Sequence, residues 1–252
     1  NQIKASFERN HCDLQKLPKE KILKNLQFLE DFIDSQTTGS REQFSYEDIN
    51  VLLNEIIDSL ENLPENNYHE IDFFRVLVNL YLLMPNDKAN IKFQILFVIE
   101  FLINNFPDAT DDFIEYDINT FIAPIILESN NTALRSKSLY IVKNLITSNS
   151  EDRINQYFIE NGYIEMISHL YESTLSQSDF NITNDLNNKL NSLMIPIISI
   201  LINFILFHEL IPAEIYSLLF ETITDIITRR YQSDLFATQV EDIISNAMNI
   251  IY

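Results

Sequence analysis

Asn131–Ser148, NTALRSKSLYIVKNLITS, is followed by Glu151–Asn161, EDRINQYFIEN, then by Gly162, then by Tyr163–Ser173, YIEMISHLYES. The order is a long amphipathic helix, a short helix, one glycine and a medium helix. The only other glycine of the chain is Gly39. A short helix that turns sharply into the next needs left-handed backbone at its end. Glycine reaches that region without steric cost, so Gly162 is expected to be a helix C-cap. This grammar predicts an α-solenoid, in which stacked helical repeats offer an extended face to partners and seldom carry chemistry of their own.

The stretch 131–175 resembles an armadillo repeat. Leu139-Tyr140-Ile141-Val142-Lys143-Asn144-Leu145 stands where the third helix of that family usually reads Leu-Trp-Ala-Leu-Ser-Asn-Ile, and Asn161-Gly162-Tyr163-Ile164 stands at the next glycine turn. The pattern echoes at a spacing of about 40 residues. Phe97–Phe106, FVIEFLINNF, carries Asn104 in the phase of Asn144. Ile198–Phe204, ISILINF, carries Asn203 about half a repeat late. A polar insertion at 176–188, SQSDFNITNDLNN, would account for the delay, and it is expected to be an exposed loop.

The resemblance implies an all-α, right-handed α-solenoid of three-helix repeats forming a single domain over 1–252. Atypical cap helices would occupy 1–67, repeats 68–208, and C-terminal cap helices 209–252. It also implies a concave groove lined by the third helices. The family's tryptophan positions fall on Glu100, Tyr140 and Ser199, and its asparagine positions on Asn104, Asn144 and Asn203. The asparagines match. The chain has no tryptophan, so the indole array that holds lysine stems in importin-type peptide recognition is missing, and Tyr140 alone could do part of that work. The groove asparagines have a second reading, which is to satisfy carbonyls within the fold.

Composition points the same way. Two glycines and seven prolines in 252 residues are too few for folds built on tight glycine turns. One cysteine, Cys12, excludes a disulfide framework and a cysteine-based zinc site. A formal charge of −20 repels nucleic-acid phosphates and anionic membranes and favours locally basic partners, although solubility alone would also explain it. The longest apolar run, Leu193–Phe207, has 15 residues and contains Pro196 and Asn203, short of the roughly 20 that span a bilayer. The first residues lack the apolar core of a signal peptide, which leads to the expectation of a cytoplasmic or nuclear protein. The apolar ending Met248–Tyr252 is expected of a piece of a longer chain.

Periodicity predicts about eleven or twelve helices. One begins near Pro18 and runs over Lys19–Ser35, and Ser45 caps another that runs to Leu63. Tyr68–Met84 follows, and Asn86 or Asp87 is expected to cap Ala89–Phe106. Asp111–Tyr116 is a short acidic helix whose carboxylates suit the positive end of its dipole, and Thr120–Glu128 is of medium length. Beyond the repeat come Asp185–Phe207, Ala213–Arg230 and Leu235–Tyr252.

No reactive set emerges from the sequence. The four histidines, His11, His69, His169 and His208, show no ligand spacing, and helix-end or surface placement accounts for them. Asp108–Asp112 lacks the central glycine and the closing glutamate of a calcium loop. The sequence therefore predicts a non-enzymatic adaptor without cofactor, metal or small-molecule substrate, holding a locally basic peptide or helix of a protein partner. The resemblance also admits a regulator that clamps another domain, in the manner of Hsp70 nucleotide-exchange factors or of the formin regions that bind small GTPases.

Overall fold

A computed structural model describes residues 2–38, 45–64, 68, 71–117, 119–148, 152–178 and 184–230; for 2–17, 148, 177–178, 184–191, 208, 229 and 230 it describes the backbone alone. These residues form eleven α-helices and a 3-10 turn, with no strand among them. The chain is all-α, as expected. It divides into two compact units, Asn1–Ile118 and Asn119–Tyr252.

The N-terminal unit holds α1 (Gln2–Thr38), α2 (Tyr46–Leu60), α3 (Phe73–Leu83), α4 (Ala89–Asn105) and α5 (Ala109–Glu115). Its core follows directly from helical spacing. Ile22, Leu26, Leu29 and Phe32 make one buried stripe on α1, and Ile49, Leu53, Ile56 and Leu60 make the facing stripe on α2. Ser45 caps α2 as its sequence predicts. Its hydroxyl accepts from the Asp48 backbone amide, and the Asp48 carboxylate accepts from the Ser45 amide; the bonds from the Ser45 hydroxyl first and its amide second hold the Asp48 carboxyl below the ordinary range.

Several boundaries differ from the sequence reading. Helix α2 ends at Leu60 rather than Leu63, and α5 spans Ala109–Glu115 rather than Asp111–Tyr116. Helix α1 begins at Gln2 and passes through Pro18, so the proline lies inside the helix. Proline removes one amide donor from the ladder, and a helix of 37 residues absorbs that loss. Lys88, not Asn86 or Asp87, is the N-cap of α4, and no side chain caps it. Helix α3 starts at Phe73, because the residues before it have other partners. Tyr68 stacks on Phe73 at 5.7 Å and on Phe106 at 5.1 Å, and the Asp72 carboxylate binds Arg75.

The C-terminal unit holds α6 (Asn119–Glu128), α7 (Thr132–Ser148), α8 (Asp152–Glu160), α9 (Tyr163–Ser178), α10 (Asn184–Ile205), a 3-10 turn (His208–Leu210) and α11 (Ala213–Arg230). Helix α10 packs most extensively against α7 and α9, and α11 packs on α9. The expected loop at 176–188 is helical at both ends. Helix α9 runs to Ser178, and α10 starts at Asn184. Leu186, Leu190, Leu193 and Ile197 continue the apolar stripe of α10 backwards at a spacing of three or four, which overrides the polar composition. Residues 179–183 and the predicted helix at Leu235–Tyr252 lie outside the described residues.

Gly162 sits between α8 and α9 with φ +74°, and its amide donates to the Ile159 carbonyl at 3.1 Å. Short helix α5 ends the same way without a glycine. Asp117 has φ +45°, and its amide donates to the Ile114 carbonyl at 3.0 Å. Aspartate is among the few other residues that tolerate this region.

Candidate partner-binding surface

Helix α7 is divided lengthwise. Leu134, Ser138, Leu139, Ile141, Val142, Leu145 and Ile146 are buried. Ala133, Ser136, Lys137, Tyr140, Lys143, Asn144 and Thr147 form the side that reaches solvent, spaced by three and four residues. Tyr140 and Asn144 thus lie one turn apart on the open side. The Lys143 ammonium stands over the Tyr140 ring, 5.4 Å from its centre, a cation–π contact on the same stripe.

Helix α10 packs alongside α7. The Ser136 hydroxyl donates to the Ser192 carbonyl at 2.8 Å and ties the open stripe of α7 to α10. Ser199 is only 4% exposed, so a partner reaches it only through its neighbours. The reason is local. Met194, Ile197, Ile198, Ile200, Leu201 and Ile202 are buried around it, and a short side chain does not extend past them. Asn203 is half-buried and its amide donates to the Ser199 carbonyl at 2.7 Å, one turn back on its own helix. For Asn203 this is a bond within the fold, of the kind the second reading expects. Glu100, half-buried, and Asn104, exposed, lie on α4 of the other unit.

The charge on this face runs against the net charge of the chain. The open stripe of α7 carries Lys137 and Lys143 and no carboxylate. Carboxylates gather instead at two clefts of the same unit. One, of about 370 Å³, lies between α9 and α11 and is lined by Glu172, Glu221 and Asp225 together with Tyr171, Leu175 and Leu218. Within it Tyr171 donates its hydroxyl to Asp225 at 3.0 Å, and exposed His169 lies 3.8 Å from Glu172. The other, of about 410 Å³, lies where the α8–α9 turn meets the start of α11 and is lined in part by Glu160, Gly162 and Glu165. Sequence reading missed both, because carboxylates are common along this chain and only packing shows which of them share a cavity.

Among the described residues, no group of three or more histidines, cysteines or carboxylates is placed to hold a metal ion, and no helix is long and apolar enough to cross a membrane. No family model matches the chain, and no curated protein or solved structure matches it either.

Proposed function

We propose that this protein is an interaction module that binds a protein partner along the α7–α10 face of its C-terminal unit, within an armadillo-like α-solenoid. The observation that carries the reading is the two-sided construction of α7. One side is buried in the core, and the other presents Tyr140 and Asn144 one turn apart at an aromatic–polar surface. Support for the solenoid comes from the order of elements. Short, medium and long helices follow as α5, α6, α7 and again as α8, α9, α10, with the short helix ending at a positive φ each time. The packing of α7 on α10 and of α9 on α11 is what third-on-third and second-on-second stacking would give.

The charge pattern refines the partner. A segment lying on α7 meets lysines, so its docking core is neutral or acidic there. The basic part of the same partner is drawn to the carboxylate clefts, and its association slows as salt rises.

Affinity capture with the full chain, followed by mass spectrometry, tests the reading. Tyr140→Ala with Asn144→Ala is expected to abolish capture with helical content unchanged, since a buried aromatic anchor is commonly worth about 2 kcal/mol or more. Capture that survives the pair, and is lost instead on charge reversal at Glu221, would place binding elsewhere. Capture of a folded domain in place of an extended segment would favour the clamping regulator.

A further inference from the structure

The open side of α4 carries an aromatic ladder. Phe93, Phe97 and Phe101 follow one another at four-residue spacing, opposite the buried Ile95, Ile99 and Leu102. Phe97 is 38% exposed, and the other two rings are half-buried. Helix α2 packs beside α4. The Lys88 ammonium stands over the Tyr46 ring, and further along both helices Gln94 Nε2 donates to Asn54 Oδ1 at 2.6 Å. The two helices therefore run in the same direction, about 40 residues apart in the chain. At that offset Asp58 and Glu61 of α2 stand level with Phe97 and Phe101. Glu47, Asn54, Asp58 and Glu61 recur at helical spacing along one exposed side of α2, a helix without lysine or arginine. Among the described residues none of these three carboxylates forms an ion pair. A single exposed apolar residue needs no explanation, but three on one stripe beside a row of unpaired carboxylates make a surface of two matched halves.

We propose that the α2–α4 face of the N-terminal unit docks a basic amphipathic helix of a protein partner. Its apolar side lies along Phe93, Phe97 and Phe101, which span about 12 Å, roughly two turns of the incoming helix. Lysines or arginines on one flank of that helix meet Asp58 and Glu61, with Glu47 further along the same row. A helix suits the ladder because it satisfies its own backbone, whereas an extended segment would lay amides against aromatic carbon. The Gln94 amide at the seam is already engaged by Asn54. Nucleic acid and anionic membranes are repelled by the same carboxylates. A second copy of the chain would bring a charge of −20 against another of −20. None of these residues belongs to the α7–α10 face, so the α2–α4 surface stands or falls without that reading.

The probe is a fluorescently labelled helical peptide of leucines and lysines in amphipathic order, titrated with the full chain and followed by anisotropy. A leucine–glutamate peptide of the same pattern and an alanine–lysine peptide of the same charge are the controls. The leucine–lysine peptide is expected to bind saturably, roughly tenfold or more tightly than either control. Phe97→Ser should weaken it by roughly tenfold or more, the loss of an aromatic anchor. Asp58→Lys with Glu61→Lys alters exposed side chains only, so the fold is retained. That pair should weaken binding comparably in low salt and less as salt rises. Glu20→Lys with Asp34→Lys, exposed on α1, changes the net charge equally and should leave binding within about twofold. Amide shifts in the isotope-labelled chain should concentrate on α2 and α4. Equal binding of the alanine–lysine peptide overturns the proposal, because net charge alone would then explain it. So do equal effects of the two reversal pairs, unaltered binding to Phe97→Ser, or no binding at all. Self-association that Phe97→Ser disperses in sedimentation would assign the ladder to a second copy and also overturn it.

Discussion

Tyr68 donates its hydroxyl hydrogen to Asp112 Oδ2 at 2.7 Å, and four residues further along each segment the pairing is reversed, with Tyr116 donating to Asp72 Oδ1 at 2.7 Å. The two bonds tie α5 to the connection that precedes α3. They differ in environment. The Tyr68 ring is 1% exposed, and burial followed by the Asp112 carboxylate pushes its hydroxyl far above the ordinary tyrosine range. Tyr116 is 45% exposed.

Tyr68→Phe keeps the ring stack on Phe73 and Phe106 and deletes only the hydrogen bond. The expected cost is about 1–3 kcal/mol, that of a bond to a charged acceptor on a buried donor. Asp112→Asn should cost less, because the amide oxygen still accepts. A double-mutant cycle by urea unfolding reads the coupling, and additive single effects would show that the bond contributes nothing.

The Tyr116–Asp72 pair makes the N-terminal unit sensitive at both ends of the pH scale. Burial raises the Asp72 carboxyl, but the bonds from Arg75 and Tyr116 outweigh it and leave its pKa below the ordinary value. Its contribution is therefore complete above the unfolded value of about 4 and disappears as pH falls through the lower folded value. Tyr116 is pushed up to about 12, first by its bond to Asp72 and then by burial. Its contribution is complete below about 10 and is lost as pH rises through the folded value. Asp72→Asn should flatten the acid limb of stability and return Tyr116 towards the ordinary tyrosine range. Urea midpoints across pH, with tyrosinate absorbance followed in parallel, check both limbs.

Gly162 and Asp117 occupy the same backbone region at the ends of α8 and α5. Valine at either position forces a branched side chain into left-handed geometry, at about 1–2 kcal/mol. Asp117→Gly should cost little or stabilise slightly, because glycine adopts positive φ without strain. Thermal melts of the three variants give the order directly. Equal stability of Gly162→Val and the parent would exclude a strained turn there.

Ser136→Ala cuts the bond from α7 to the Ser192 carbonyl of α10. We expect a loss of about 1 kcal/mol, the ordinary net value of a half-buried hydrogen bond. Amide exchange should quicken on the α7 and α10 amides, with α1 and α2 unaffected. Uniform quickening across the chain would mean that the two units unfold as one.

The all-α class, the capping box at Ser45 and the turn at Gly162 were legible from residue order alone, because each depends on contacts within a few positions. Helical period places Ile22, Leu26 and Leu29 on one face whatever they pack against, and only glycine makes position 162 easy. The start of α3 and the ends of α9 and α10 were not legible. Tyr68 and Asp72 are spent on partners some 44 residues away, and polar residues at 176–178 and 184–188 stay helical because the stripe they extend is apolar. The turn at Asp117 escaped notice because aspartate, unlike glycine, does not advertise a positive φ. Sequence placed Tyr140, Asn144, Ser199 and Asn203 on long helices, but only packing decided that the first two reach solvent, that Ser199 is covered, and that the Asn203 amide turns back on its own helix. The same holds for Glu165. The cleft it lines is completed by Leu210, Pro212 and Ile215, which lie 45 or more positions away in the chain. Short-range order is written in the spacing of residues, whereas exposure, charge pairing and cavities are set by which distant surfaces meet.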